Sequence, residues 1–285
     1  LDEMNKALCF ARFLDKAVFT GDSLKGDGQV CSIDDIEEAE SVLRVFPIWA
    51  TSLIFGIFFA QHATFFTKQG ATLNRSIGPS FVVPPASLQA FIGITILVFI
   101  PIYDQVFVPI VRALTGKPAG VTTLQRIGIG MFASIICMVV AALVEKKRLN
   151  TALEHGLIDL PNLIIPMSIW WLLPQYILSG IAEAFAMVGL QEFFYDQVPN
   201  ELRSVGLSIY LSAVGIGGLL SSLLVSVINK ATSGGGGESW FSNNLNRAHL
   251  DYFYYLIAGL SALGLGLFTV FAQSYKYKKS TCGIR

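Results

Sequence analysis

The side chain best placed to do chemistry is Glu183, because it lies near the middle of an apolar stretch long enough to cross a membrane. No charged residue occurs from Leu160 to Ala182, and the chain stays uncharged after Glu183 up to Gln191. A carboxylate inside a bilayer costs about 2.5–3.5 kcal/mol on insertion scales, so such an acid usually binds an ion, a proton or a substrate. The alternative is a buried ion pair with a neighbouring helix. We expect Glu183 to couple protons or to anchor substrate.

Polar residues in the apolar stretches could share a cavity with this acid. Gln61 and His62 interrupt the first apolar stretch, and Gln175 and Tyr176 precede Glu183 by about two turns of the same predicted helix. Gln175 is offset from the acid by eight residues, which places the two side chains close to the same helix face. We therefore expect one polar groove that holds Gln61, Gln175 and Glu183, with no facing wall inside the chain.

The motifs of common enzyme classes are missing. The sequence contains no HExxH, no GxSxG and no phosphate-binding P-loop, its three histidines are scattered, and its four cysteines form no CxxC pair. A membrane-embedded hydrolase needs a nucleophile and a base, or paired metal ligands, and Glu183 alone supplies neither. The 20 basic and 20 acidic residues cancel, so no nucleic acid partner is expected. Transport is therefore favoured over catalysis, with no metal or organic cofactor.

A second group of charged residues lies at the ends of predicted helices on one side of the membrane. Such charges could form gating salt bridges that differ between the inward-open and outward-open states of a transporter. They could equally be ordinary surface charges at helix ends, and the sequence leaves both interpretations open. The group consists of Asp104, Arg112, Glu192, Asp196 and Arg203.

The composition predicts an all-α membrane protein. Hydrophobic residues make up 53% of the chain and charged residues only 14%, below the roughly 25% of charged residues in soluble proteins. A helix needs about 20 apolar residues to cross the hydrocarbon, and the chain contains six stretches of roughly this length. The predicted spans cover residues 46–67, 86–103, 127–144, 167–192, 204–229 and 252–275.

The polar segments set the predicted topology. Residues 1–44 are expected to form a cytosolic connector, residues 45–275 the six-helix bundle, and residues 276–285 a cytosolic tail. Lys and Arg are more frequent in the segments on the side of the two termini, which the positive-inside rule assigns to the cytosol. The loops 68–85 and 234–251 are then expected together on the opposite face.

One face of the fifth predicted span carries small residues. Gly218, Ser222 and Ser226 recur at four-residue spacing. Small residues at this spacing let two helix backbones approach closely in lipid, so we expect this face to pack against another helix. The alternative is a gating hinge, because Gly215, Gly217 and Gly218 together could let the helix bend.

Several long stretches resemble the plant nitrate and peptide transporter family. They include FFTKQGATLNRSIGPSFVVPPASLQ, LLPQYILSGIAEAF, GLQEFFYDQVPNELRS and NLNRAHLDYFYYL. These proteins are proton-coupled oligopeptide transporters of the major facilitator superfamily, and the chain resembles their C-terminal half, from the central cytosolic loop through helices seven to twelve. The resemblance implies two six-helix bundles with substrate between them, alternating access, and a second bundle missing from this chain. It implies a multi-pass protein of the plasma or vacuolar membrane, with the lipid bilayer as a partner.

The resemblance gives roles to a few residues. Glu183 matches the acid of the tenth helix, which in peptide-carrying relatives pairs with the amino terminus of the substrate and responds to proton coupling. A nitrate-transporting relative binds its anion with a histidine that directly precedes an Ala-Gln pair on the seventh helix. Here Phe59 precedes Ala60 and Gln61, so that histidine is absent. His62 lies three residues later on nearly the same face; it could substitute, or it could be a helix-end histidine near the outer surface.

The predicted function is half of a proton-coupled secondary transporter for nitrate, di- or tripeptides or another small organic solute. Protons are the expected coupling ion. The alternative is a truncated membrane module that does not transport and only associates with partner helices.

Overall fold

The computed structural model describes residues 33–78, 80–115, 121–233, 239–242 and 244–275. The predicted cytosolic connector lies outside the described residues up to residue 32, and its remainder belongs to a helix that runs into the bundle. The predicted cytosolic tail, residues 276–285, lies outside the described residues entirely.

Among the described residues, six helical spans are long and apolar enough to cross a membrane. The predicted all-α membrane fold with six spans is therefore confirmed. Most spans extend beyond their predicted ends, because backbone hydrogen bonds continue past the charged residues at which the apolar runs stop. In chain order, the first to sixth spans are Val42–Ala71, Pro85–Ala113, Thr123–Glu154, Ile169–Asp196, Asn200–Ser233 and Leu250–Ser274.

The spans are built from α-helices with short π and 3₁₀ segments. The α-helices are α1 Ile33–Gln61, α2 Thr67–Ala71, α3 Ala90–Ile102, α4 Val108–Thr115, α5 Thr123–Glu154, α6 Leu173–Asp196, α7 Arg203–Ser233 and α8 Leu250–Ser274. The π-helices are His62–Phe66 and Tyr103–Phe107, and the 3₁₀ helices are Pro85–Gln89, Ile169–Leu172 and Asn200–Leu202. The strands are β1 Leu73–Asn74, β2 Ser76–Ile77, β3 Phe81–Val82 and β4 Ile165–Ser168.

The π-helix of the first span is held by hydrogen bonds to the carbonyl of His62. Thr67 Oγ1 donates to this carbonyl at 3.0 Å, and Gln89 Nε2 from the second span donates to it at 3.3 Å. Gln89 Nε2 also contacts Thr67 Oγ1 at 3.0 Å. A π-helix interrupts the regular bonding of an α-helix and is frequent at functional sites. Here it ties the first span to the second at the level of His62.

Three loops meet at one end of the bundle. The backbone of Ile165 donates to the carbonyl of Thr72 at 2.9 Å, where β4 pairs in parallel with β1. Asn244 Nδ2 donates to the carbonyl of Ile158 at 2.7 Å. The described parts of the loops 68–85 and 234–251 therefore lie at the same end, as expected; which side of the membrane this end faces stays a prediction.

The first and fifth spans approach each other at two glycines. A Cβ atom on Gly217 would lie 2.4 Å from the Cα of Gly56, so neither position has room for a side chain. The predicted packing face is wrong by one residue. A Cβ atom added to Gly218 would have no neighbouring heavy atom within 4 Å, and the side chains of Ser222 and Ser226 are exposed. The small residues one position earlier, Ala213, Gly217 and Ser221, also recur at four-residue spacing. This row contains Gly217 and contacts the first span.

The third span contains a buried ion pair beyond its predicted end. Glu145 and Arg148 are both fully buried and are joined by contacts of 2.6 and 2.8 Å. Gln69 Nε2 donates to Glu145 Oε2 at 2.8 Å. The guanidinium of Arg148 also donates to Asn246 Oδ1 at 2.9 Å and to the carbonyl of Leu245 at 2.8 Å. The pair therefore joins the third span to the C-terminal end of the first span and to the loop before the sixth.

Replacing one member of this pair should destabilise the bundle. Arg148→Met leaves the Glu145 carboxylate buried without its cation, and breaking a buried pair costs about 3–5 kcal/mol. We expect a clearly lower unfolding temperature in detergent, with partial recovery in the double variant Glu145→Gln/Arg148→Met. The matched control is Lys146→Met, because Lys146 is exposed on the same helix. Equal unfolding temperatures for Arg148→Met and Lys146→Met would contradict the structural role of the pair.

Candidate functional site

Glu183 lies opposite His62, on a different span. Nδ1 of His62 is 2.9 Å from Oε1 of Glu183, and the two side chains are only 6% and 11% exposed. The contact has the length of an ion pair, although its angles fall outside those of a hydrogen bond. The pair therefore joins the first span to the fourth inside the bundle.

The π-helix and three aromatic rings fix the position of His62. The imidazole ring lies 5.0 Å from the ring of Phe58, 5.8 Å from that of Phe59 and 5.5 Å from that of Phe66. Its Nε2 atom is buried without a hydrogen-bond partner among the described residues. The interpretation of His62 as a helix-end residue near the outer surface is wrong, because the first span continues to Ala71 and the imidazole points into the bundle.

Close packing around the fourth span keeps Glu183 largely dry. A Cβ atom on Gly180 would lie 2.6 Å from the Cβ of Thr95, so the second span sits directly against this part of the helix. Cys137 on the third span and Tyr210 on the fifth are near enough to interact electrostatically with Glu183. The residue Glu183 as a whole is 8% exposed. This small exposed fraction is its remaining access to the outside of the bundle.

Gln61 and Gln175 lie in the interior and not in a groove. Gln61 Nε2 donates to Ser221 Oγ at 3.0 Å and to the carbonyl of Ile57 at 2.7 Å. Gln175 Nε2 donates to Gln69 Oε1 at 3.2 Å, which links it to the buried pair at the end of the third span. Both glutamines are fully buried. The predicted common groove is therefore wrong for these two residues, because each amide finds its partner on another helix of the same bundle.

Phe59 lies beside the His62 ring, and Tyr176 lies one ring further away. Tyr176 is fully buried, with its ring 5.6 Å from that of Phe66, and its hydroxyl lies near the Thr67 side chain. Phe59 is half-buried beside His62. The assignment of both residues to substrate binding stays a prediction.

The predicted gating residues divide into two sets. Glu192 pairs with Arg126 of the third span at 3.3 Å, and Arg203 stacks on the ring of Tyr195 at 4.6 Å. Within the described ranges, no salt bridge is recorded for the other three residues of the group. These three are Asp104, Arg112 and Asp196.

Sequence reasoning missed the role of Arg126. Besides its pair with Glu192, this side chain donates to the carbonyl of Ala184 at 3.4 Å and lies 5.0 Å from the ring of Tyr103. It thereby connects the second, third and fourth spans at one end. The sequence feature that could have indicated this role is the position of Arg126 directly before the third apolar run. The predicted topology places this position at the same end of the bundle as Glu192.

The chain matches one protein-family model and several curated relatives over most of its length. The model of the POT family, PTR2, matches residues 8–241. Protein NRT1/PTR FAMILY 5.10 of Arabidopsis thaliana is 60% identical over 261 residues, which cover 92% of this chain and 47% of that protein. Protein NRT1/PTR FAMILY 5.12 of the same plant is 61% identical over 267 residues, which cover 93% of this chain and 46% of that protein. The chain thus spans about half the length of these relatives.

Solved structures show the same fold at low sequence identity. An auto-inhibited POT family peptide transporter superposes with a TM-score of 0.66 at 20% identity, over 88% of this chain and 44% of that one. The POT family transporter PepTSo gives a TM-score of 0.65 at 18% identity, over 94% of this chain and 54% of that one. The relatives and the structural neighbours are transporters, which agrees with the expectation of transport and not catalysis.

The burial pattern predicts a gradient of water access along the fourth span. Ser179 is fully buried, and Met187, one turn beyond Glu183 on the same face, is half-buried. In a background with the four native cysteines replaced by alanine, we expect Met187→Cys to react with a small water-soluble thiol reagent and Ser179→Cys to remain unmodified. Labelling followed by mass spectrometry measures the difference. Faster labelling at position 179 than at position 187 would contradict the described packing.

Proposed function

The chain belongs to the POT family of transporters, and we propose that it forms the C-terminal half of a proton-coupled secondary transporter working by alternating access. Its substrates are nitrate, di- or tripeptides or another small organic solute. Its partners are the lipid bilayer and a second six-helix bundle, and its location is the plasma or the vacuolar membrane. Protons serve as the coupling ion, and no metal or organic cofactor takes part.

The observation that carries this proposal is the position of Glu183. The carboxylate lies in the middle of the fourth span, almost excluded from water but with 8% of the residue still accessible. A charge held at this depth is expensive and marks ion, proton or substrate pathways in membrane proteins. The small remaining opening gives a proton or a substrate group a route to the carboxylate from outside the bundle.

Glu183 has two possible tasks that depend on the substrate. A substrate with an amino group brings a cation to the carboxylate, which anchors the substrate by a charge-assisted hydrogen bond. An anion such as nitrate gains nothing from a carboxylate, and Glu183 then serves proton coupling only. His62 is already in contact with that carboxylate, which disfavours binding of a free anion on the imidazole.

The charged helix ends support a gating role in the same mechanism. Glu192 is bound within the bundle by Arg126, whereas Asp104, Arg112 and Asp196 show no ion pair among the residues that the structure describes. The charges of Asp104, Arg112 and Asp196 are available to partners on the second six-helix bundle. Contacts that form and break between the two bundles accompany the change between the inward-open and outward-open states.

A second candidate function is a membrane module that associates with other helices without transporting. It is favoured by the fact that the chain spans about half the length of its curated relatives.

Liposomes separate these two functions. We expect proton-driven uptake by the full-length protein and none by this chain alone, because one bundle supplies only one wall of the substrate path. Co-reconstitution of the chain with the missing bundle should restore uptake. Uptake by the chain alone would refute the half-transporter proposal, and failure of the full-length protein with every substrate class would favour the non-transporting module.

The role of Glu183 is tested by Glu183→Gln in the full-length protein. This change keeps the shape of the side chain but removes its charge and its titration. We expect loss of proton-driven uptake of an amine-bearing substrate, with normal folding and membrane insertion; for nitrate, binding survives and the pH dependence of uptake is lost. Glu154→Gln, at an exposed acid at the end of the third span, is the control. Normal uptake with an unchanged pH profile in Glu183→Gln would make the acid structural.

A further inference from the structure

We propose that Arg126 and Gly130 of the third span form a helix clamp, which fixes the turn of the fourth span that carries Glu183. In this inference Arg126 is a positioning residue, because it acts on the acid through the backbone of the fourth span and not by contact with substrate. The geometry of the helix clamp stands by itself, whereas its use in transport rests on the proposed function of Glu183.

Gly130 brings the backbones of the third and fourth spans into contact on both sides of the acid. A Cβ atom on Gly130 would lie 2.8 Å from the carbonyl oxygen of Ala182 and 2.7 Å from the Cβ of Ala186. The close approach continues at Gly189, where a Cβ atom would lie 2.9 Å from Cγ1 of Ile127. Because Ala182, Ala186 and Gly189 are spaced by four and three residues, they form one face of the helix. This face lies directly against the third span.

Arg126 holds the backbone of the same turn. It lies one helical turn before Gly130, and its Nη2 donates to the carbonyl of Ala184, the residue after Glu183, at 3.4 Å. Its Nη1 contacts Glu192 at 3.3 Å. A guanidinium has several donors in one plane, so it can hold both acceptors at once. The contact with Glu192 is exposed and the bond to Ala184 is partly buried, and exposed ion pairs contribute little. The backbone contact therefore carries most of the effect.

The second span holds the residue that follows Ala184. The ring of Phe185 lies 5.3 Å from that of Phe99 and 5.1 Å from that of Tyr103. The guanidinium of Arg126 lies 5.0 Å from the same tyrosine ring. The second and third spans therefore act on consecutive residues of the fourth span and contact each other through Arg126.

Glu183 is the residue of this turn that contacts the first span. The residues on either side of it are held by the second and third spans, whereas its own carboxylate lies 2.9 Å from His62. Successive side chains of an α-helix differ in direction by about 100°, so a rotation or slide of this turn would turn the carboxylate away. The helix clamp thus sets the depth and the direction at which Glu183 meets an amino group of a substrate.

The first measurement does not depend on transport. In the background without native cysteines, Met187→Cys reports on the turn and Ser179→Cys reports on the bundle as a whole, because Met187 is half-buried and Ser179 fully buried. We expect Arg126→Gln to speed the labelling of Met187→Cys severalfold, because the turn is released from the third span, while Ser179→Cys stays unmodified. Arg126→Lys keeps the charge but lacks the planar fork, so it should act in the same direction.

Two further variants separate the backbone contact from the ion pair. Glu192→Gln removes the ion pair but leaves the donor for the Ala184 carbonyl, so its effect on the labelling of position 187 should be clearly smaller. Lys146→Gln, at an exposed position of the same helix, should have no effect. The helix clamp is supported if at least one Arg126 variant speeds labelling at position 187 more than Glu192→Gln does and leaves position 179 unmodified. Any other result overturns it.

The second measurement follows uptake by the full-length protein with the dipeptide Ala-Ala and with nitrate. Hydrogen bonds weaken steeply with poor geometry, so we expect Arg126→Gln to raise the KM for Ala-Ala about tenfold. The maximal rate per inserted protein should change little, whereas a purely structural defect would lower that rate at unchanged KM. The KM for nitrate, which offers no cation to the carboxylate, should stay the same.

The outcomes distinguish the positioning role from the proposed function. An unchanged KM for Ala-Ala in Arg126→Gln, with uptake lost in Glu183→Gln, overturns the positioning role. Normal uptake in Glu183→Gln overturns the proposed function, and the helix clamp is then decided by the labelling alone. The labelling also decides if the full-length protein carries neither probe.

Discussion

A charge buried among apolar helices needs a partner inside the bundle, and this constraint shapes the interior of the chain at two places. Glu145 is compensated by Arg148, with both side chains fully buried. Glu183 contacts His62 at 2.9 Å. The two contacts differ in the basic partner, because a guanidinium is always charged whereas a histidine is charged only when it is protonated. The contact between Glu145 and Arg148 is therefore a permanent ion pair.

The π-helix of the first span lies where His62 contacts Glu183. It begins at His62 and is held by Thr67 and Gln89. Gln89 comes from the second span, which also packs on the fourth span at Gly180. The first, second and fourth spans are thus connected to one another near this contact. The surrounding phenylalanine rings exclude water without contributing further charge.

The fold and the central acid could be predicted from the sequence, because both depend on local quantities. The length and apolarity of a stretch determine a span, and the cost of a carboxylate at its centre marks Glu183 whatever its neighbours are. Partners could not be predicted in the same way. The contact of His62 with Glu183 joins two different spans and leaves no spacing signal in the sequence. The amides of Gln61 and Gln175 are buried against Ser221 and Gln69, which also lie on other spans. Two neighbouring rows of small residues on the fifth span, one with Gly217 and one with Gly218, have the same four-residue spacing. Only the contact with Gly56 in the structure shows that the row with Gly217 packs against the first span.

The contacts of Arg148 also constrain the order in which the protein can be assembled during synthesis. Two of its hydrogen bonds go to Leu245 and Asn246, which are 97 and 98 residues later in the chain. Until the ribosome has produced that loop, the guanidinium of Arg148 has Glu145 as a partner but lacks two of the acceptors that it binds in the finished bundle. The final packing at this end of the third span therefore follows the synthesis of the loop before the sixth span.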